Sequence, residues 1–452
     1  MHRTTPRRLS ALALVPLGAL ALAACAGPGS DGAASSAAPS AASSSAEAPA
    51  ATEEQARTPR IAVTYDGGVR VLDAMTLEEV GDLEVDGFTR LNPAGDGRHL
   101  LVSTTGGFRV LDAGTWAEAH GDHAHYWTSA PALLDVTYAA EEPGHAVHHA
   151  GRTALFADGT GEVTVLDPAH VAEPADAVVD RLTLPAAHHG VAVPLSDDTM
   201  VVSEGTADAR TGIRVLDADG AEVAASDQCP GVHGEAVAAE EAVVIGCEDG
   251  ALVYAGGTIT KVQAPDAYGR IGNQAGSEAS PVVLGDYKTD PEAELERPTR
   301  VSLVDTRDAS LTLVDLPSSY TFRSLARGED GEALVLGTDG QLHVIDPEAG
   351  TLVRSIPVID AWEEPLEWQE PRPAVLTLDG SVYVTDPATQ SVHAVDVESG
   401  EVWKSAQLDV TPNEISGVTG DVAAEHGHEH DHEHEHEHAE GEHAEGEHDH
   451  AE

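Results

Sequence analysis

One short phrase recurs along this chain and sets what it can fold into. Gly68-Val69-Arg70-Val71-Leu72-Asp73 returns as Gly107-Phe108-Arg109-Val110-Leu111-Asp112, as Gly161-Glu162-Val163-Thr164-Val165-Leu166-Asp167 and as Gly212-Ile213-Arg214-Val215-Leu216-Asp217. Weaker copies lie at Ala251-Leu252-Val253-Tyr254, Arg300–Asp305, Gln341–Asp346 and Ser391–Asp396. The spacing runs from just under forty residues to the mid-fifties. A second apolar run precedes each copy, such as Arg98–Ser103 or Ala333–Leu336, across a turn rich in Gly and Asp. Helical periodicity is almost absent. About four short antiparallel strands per forty to fifty residues is the signature of a β-propeller blade. The expected fold is therefore all-β, a β-propeller over residues 58–420, and the eight copies predict eight blades. The degenerate fifth copy leaves seven open. Ring closure should pair the strand near Ile61 with one after Trp403.

The chain ends differ from the repeats. Arg3, Arg7 and Arg8 precede the apolar run Ala11–Leu22, and Leu22-Ala23-Ala24-Cys25 follows. This order reads as a lipoprotein signal peptide over residues 1–24, with Cys25 as the lipid-bearing mature N-terminus. The expected location is extracytoplasmic, lipid-anchored to the outer face of the cell membrane. Residues 25–57 are rich in Ala and Ser, with Gly and Pro, and read as a flexible linker. Residues 421–452 alternate His with Glu or Asp, including His426, His428, His430, His432, His434, His436 and His438. With ten imidazoles in thirty-two residues and no apolar residue past Val422 other than Ala, this tail is expected to be disordered and to bind divalent metal weakly.

Net charge excludes one class of partner. At −54 the chain repels nucleic acid and anionic lipid surfaces and attracts cations. Cysteine usage fits an oxidising compartment. With Cys25 taken by lipid, Cys229 and Cys247 remain as a pair, and a disulfide between them is expected.

The remaining histidines cluster. His120-Gly121-Asp122-His123-Ala124-His125 carries three imidazoles and a carboxylate within six residues. These are donors that zinc takes from proteins. Extended chain would put His123 and His125 on one side. These residues follow the repeat ending at Asp112 and are expected on a loop leading to the third blade. His145, His148 and His149 lie in or beside that blade's inner strand. His188 and His189 precede the fourth inner strand, and His233 precedes the fifth. Inner strands line a propeller's channel, so successive blades should deliver imidazoles to one channel mouth. His99, His170, His343 and His393 lie elsewhere and read as structural.

Four segments together carry a family resemblance. His120-Gly121-Asp122-His123-Ala124-His125-Tyr126, Asp158-Gly159-Thr160-Gly161, His188-His189-Gly190-Val191-Ala192-Val193-Pro194-Leu195 and Cys229-Pro230-Gly231-Val232-His233-Gly234-Glu235-Ala236 resemble the AztD-type zinc metallochaperones. The resemblance implies a secreted or surface β-propeller that binds Zn2+ tightly. It implies as partner the solute-binding protein of a zinc ABC importer, to which the ion is passed. Carried onto this sequence, it draws the zinc ligands from His120, Asp122, His123, His125, His149, His189 and His233. The expectation is a binding protein rather than an enzyme. The alternative is a metal-dependent propeller hydrolase or lyase, which needs an open coordination position and a base such as Asp122 or Glu235.

Overall fold

A computed structural model describes residues 50–422. The segment read as a signal peptide, Cys25, most of the segment read as a linker and the histidine-rich tail lie outside these residues. Among the described residues, no helix is long and apolar enough to cross a membrane.

The structure is nearly all strand. Among the described residues, seven four-stranded sheets and one five-stranded sheet follow one another, each antiparallel in its main four strands. In every one the repeated phrase forms the third strand from the inside, and the apolar run before it forms the second. Arg60–Tyr65 and Gly68–Asp73 are an instance: both are buried almost throughout, while the outer strand Glu79–Glu84 is largely exposed. Middle strands have both faces covered by neighbouring sheets, so they read as continuous apolar runs rather than as alternating ones.

Among the described residues, eight apolar clusters hold the ring together. Each joins one sheet to the next: Ala62, Val71, Leu100 and Leu111 bridge the first and second, and Ala154, Val163, Ala192 and Val202 the third and fourth. One more, with Ile61, Leu72, Tyr383 and Val392, joins the eighth sheet back to the first. Such a closed circle of sheet-on-sheet contacts makes a β-propeller. Backbone hydrogen bonding between the first and last strands of the ring completes it within one sheet. Ile415–Val418 is the innermost strand of the first sheet and pairs antiparallel with Arg60–Tyr65, Ile61 facing Gly417.

Two features depart from the sequence reading. The histidine-rich segment is not a loop between sheets. It is a hairpin, Thr115–His120 and His123–Thr128, inserted inside the second sheet, whose outer strand Ala132–Ala139 follows it. Residues 25–57 are not linker to their end either, because Thr52–Glu54 adds a third strand to this hairpin through His123–Thr128. The buried Arg60 clamps the hairpin's base to the ring. It donates to the carbonyl of Ser129 at 2.8 Å and to that of Ala113.

Cys229 and Cys247 form a disulfide, with Cα atoms 5.0 Å apart. It fastens the chain entering the fifth sheet to the end of that sheet's second strand, Val243–Cys247. Closing a loop of this length restricts the unfolded chain. The paired change Cys229→Ala, Cys247→Ala is therefore expected to cost about 3 kcal/mol. Urea unfolding of oxidised wild type and variant measures this, and equal midpoints would show that the bond constrains nothing.

Candidate metal centre

The innermost strands of the third, fourth and fifth sheets are Pro143–His149, Ala192–Pro194 and Glu235–Val237. Each has one histidine near its entrance: His145, His189 and His233. Strands at equivalent places in a ring deliver their entrances to one channel mouth, and these three imidazoles meet there. One nitrogen from each lies within 4.8 Å of the others. Ring centroids are 5.1 Å apart for His145–His189 and His189–His233, and 6.0 Å for His145–His233.

Every ring in this trio is held by its Nδ1. His145 Nδ1 lies 3.0 Å from Glu235 Oε2, His189 Nδ1 lies 2.6 Å from Asp158 Oδ2, and His233 Nδ1 donates to the Gly272 carbonyl at 2.5 Å. Nε2 is then the free nitrogen on each ring. Metal-binding imidazoles characteristically donate the other N–H to a carboxylate or carbonyl, which fixes tautomer and orientation. Gly234 makes the His233 contact fit. At φ +75°, any Cβ there would sit 2.7 Å from the Gly272 oxygen.

Electrostatics separates two of the rings. Burial drives the His233 pKa down to about 3, and the nearby His145 pushes the same way. Burial would also lower His145, but the charge and hydrogen bond of Glu235 outweigh it and raise the pKa. His233 is thus neutral and ready to ligate, whereas His145 competes for a proton.

Three convergent imidazoles with their Nε2 atoms free fit zinc. His145, His189 and His233 would hold the ion through nitrogen, which tetrahedral zinc takes at about 2.0 Å. A cavity of about 630 Å³ opens around the trio and carries Phe322 and Trp368 on its wall. Asp158 is expected to act by holding His189. Asp158→Asn should weaken zinc binding ~10- to 100-fold, as loss of such outer partners does. Competition with a chromophoric chelator measures it, and unchanged affinity would remove Asp158 from the site.

A second trio stands on the hairpin. His120, His123 and His125 each present one nitrogen within 4.8 Å of the others. His120 and His123 are paired across a two-residue turn, and Gly121, at φ +65°, takes the first turn position. Residues paired across strands share a face, and so do residues two apart, so all three imidazoles project together. His120 Nδ1 and His125 Nε2 are 3.4 Å apart. Glu53 of the added strand reaches His125 Nδ1 at 2.8 Å. This trio is largely exposed, unlike the one in the cavity.

The sequence-derived ligand set therefore divides. His189 and His233 meet in the cavity, while His120, His123 and His125 form the hairpin trio. Asp122 is fully exposed at the turn, with Oδ1 3.3 Å from His123 Nδ1, outside both trios. His149 belongs to neither. It sits four residues beyond His145 on the inner strand, ~13 Å along an extended chain, and its Nδ1 donates to the Pro194 carbonyl at 2.9 Å. His145 is the ring that the third sheet supplies instead. The sequence signal for it was its place at the strand entrance, matching His189 and His233. Glu235 and Asp158 had no such signal as partners, because their contacts cross between sheets. His188, beside His189, is buried and bonded to Ala186 and Ser203.

No family model matches the chain. Over 372 residues it is 28% identical to the zinc chaperone AztD of Citrobacter koseri, covering 79% of this chain and 86% of that protein. The crystal structure of Citrobacter koseri AztD superposes with a TM-score of 0.70 at 26% identity, over 80% of this chain and 98% of that one. The structure of apo AztD from the same organism gives 0.68 at 26% identity, over 81% and 100%. In both sequence and fold, the chain is thus similar to the zinc chaperone AztD of Citrobacter koseri.

Proposed function

We propose that this protein is an extracytoplasmic zinc metallochaperone that holds Zn2+ in the cavity trio and passes it to the solute-binding protein of a zinc ABC importer. The observation that carries this reading is the convergence of His145, His189 and His233 with every Nδ1 already anchored. Likeness to a protein named a zinc chaperone supports it. In this reading Cys25 bears the lipid that keeps the protein at the outer face of the membrane. The tail from His426 to His438 gathers zinc weakly, and the exposed hairpin trio is the point of exchange. An ion on exposed imidazoles can be taken one ligand at a time by an acceptor, whereas the cavity trio stores it.

A metal-dependent hydrolase or lyase is the second reading, because a three-histidine site keeps a position for water. It lacks a ready base. Glu235 is engaged with His145, and Asp122 stands on the hairpin. The deciding experiment mixes zinc-loaded protein with the apo solute-binding protein under a competing chelator. Transfer faster than spontaneous dissociation is expected, slowed in the His123→Ala, His125→Ala variant. Transfer no faster than dissociation would refute direct handover.

A further inference from the structure

The wall of the trio's cavity carries a charge that a zinc store does not need. The chain as a whole is at −54, yet Arg90, Arg270, Lys288 and Arg323 line this cavity against only Glu235 and Glu414. Both carboxylates are occupied, Glu235 by His145 and Glu414 by Arg323 at 2.7 Å. Other cations are loosely paired. Arg270 is 3.7 Å from Glu248, Arg90 is 3.7 Å from Glu414, and Lys288 is 4.0 Å from Asp286. Asp286 is itself taken by the backbone N–H groups of Gly272 and Asn273. Arg270 stands close to the trio. Its Nε lies 3.2 Å from where a side chain on Gly272 would begin, and the Gly272 carbonyl holds His233.

Neutral imidazoles leave a bound zinc ion its full double charge. Loosely paired guanidinium and ammonium groups beside it are repulsive, more so in a cleft than in open water. Glu235 and Asp158, behind two of the rings, offset part of that charge, and an anion entering with the metal would offset more. Arginine suits carboxylate in particular, through its planar fork of donors. A cavity of about 630 Å³ with some apolar wall has the size of a small-molecule site.

We propose that this cavity is a carboxylate-binding site that works with the metal: one carboxylate completes the coordination of the ion held by His145, His189 and His233, and Arg270 and Lys288 hold the acid in place. The proposal rests on the zinc reading of the trio. The carboxylate comes from a small free acid or from an acidic side chain of the acceptor protein. In either case zinc is carried as a ternary complex.

The test uses the full-length chain with one equivalent of Co2+ in place of zinc. The difference between its visible spectrum and that of His233→Ala isolates the cavity ion. Succinate is then titrated, and in parallel a blocked peptide with one glutamate. A saturable change in the cavity spectrum is expected, at lower concentration for whichever source is the right one. In Arg270→Gln, Lys288→Gln the apparent acid affinity should fall ~10-fold or more, while cobalt affinity without acid stays equal or rises. Lys288→Gln alone should move both quantities in the same directions and serves if the double variant does not fold. A cavity spectrum indifferent to both acids, or altered equally in the variants, would overturn the carboxylate site and leave the metal site standing. No cavity cobalt signal at all would overturn both.

Discussion

His233→Ala is expected to lower the affinity of the tight zinc site by ~100-fold or more, since even loss of a partner outside the coordination sphere costs 10- to 100-fold. Burial keeps His233 neutral, with a pKa of about 3, so this ring enters the metal's shell without releasing a proton. It also has a fixed donor bond to Gly272, and its removal leaves that carbonyl unpaired. An orphaned buried acceptor costs about 1–3 kcal/mol, which the ring of sheets should tolerate. Competition with a chelator separates this site from weaker ones on the hairpin and in the tail. His149→Ala is the informative companion, because His149 bonds Pro194 instead of joining the trio. Tight binding lost in His149→Ala and kept in His233→Ala would place the ion elsewhere.

Acid should strip the cavity through His145. Zinc binds only the neutral ring, whose ordinary pKa is about 6.5. Glu235 raises that pKa against the opposing effect of burial, so protons begin to compete at a higher pH than for a free histidine. Below the raised pKa, this one proton costs about tenfold in apparent affinity per pH unit. His233 adds nothing to the loss until far lower pH. Glu235→Gln removes the charge that raises His145 and leaves burial to lower it. The variant should bind zinc more weakly at pH 8, yet lose less of that affinity on going to pH 5.5. Parallel pH profiles for wild type and Glu235→Gln would show that Glu235 does not set the proton competition.

The carboxylate of Glu235 shows where sequence reading stops. Its position in Cys229-Pro230-Gly231-Val232-His233-Gly234-Glu235-Ala236 is plain, but its partner, His145, is 90 residues away on another sheet. Asp158 and His189, 31 residues apart, likewise meet across sheets, and Glu53 reaches His125 from 72 residues away through a strand added to the hairpin. The family resemblance drew His149 into the ligand set, whereas on the strand Pro143–His149 it is His145 that meets His189 and His233, and His149 bonds Pro194. The hairpin was misplaced for a related reason. Its strands carry apolar residues such as Trp116 and Trp127, but nothing local shows that the outer strand of the second sheet comes only afterwards, at Ala132–Ala139.

By itself the sequence determined the propeller, because its repeated apolar phrase can only be buried by stacking copies of the same small sheet. It also determined that imidazoles would sit at the entrances of successive inner strands, since their place in the repeat is written in the chain. Only the tertiary structure decided which imidazoles share a site. Metal-binding geometry is set at the scale of one bond length, whereas blade repeats place residues to within several ångströms. Closing that gap took the curvature of the ring, the clamp on the hairpin and the cross-sheet partners that hold each Nδ1.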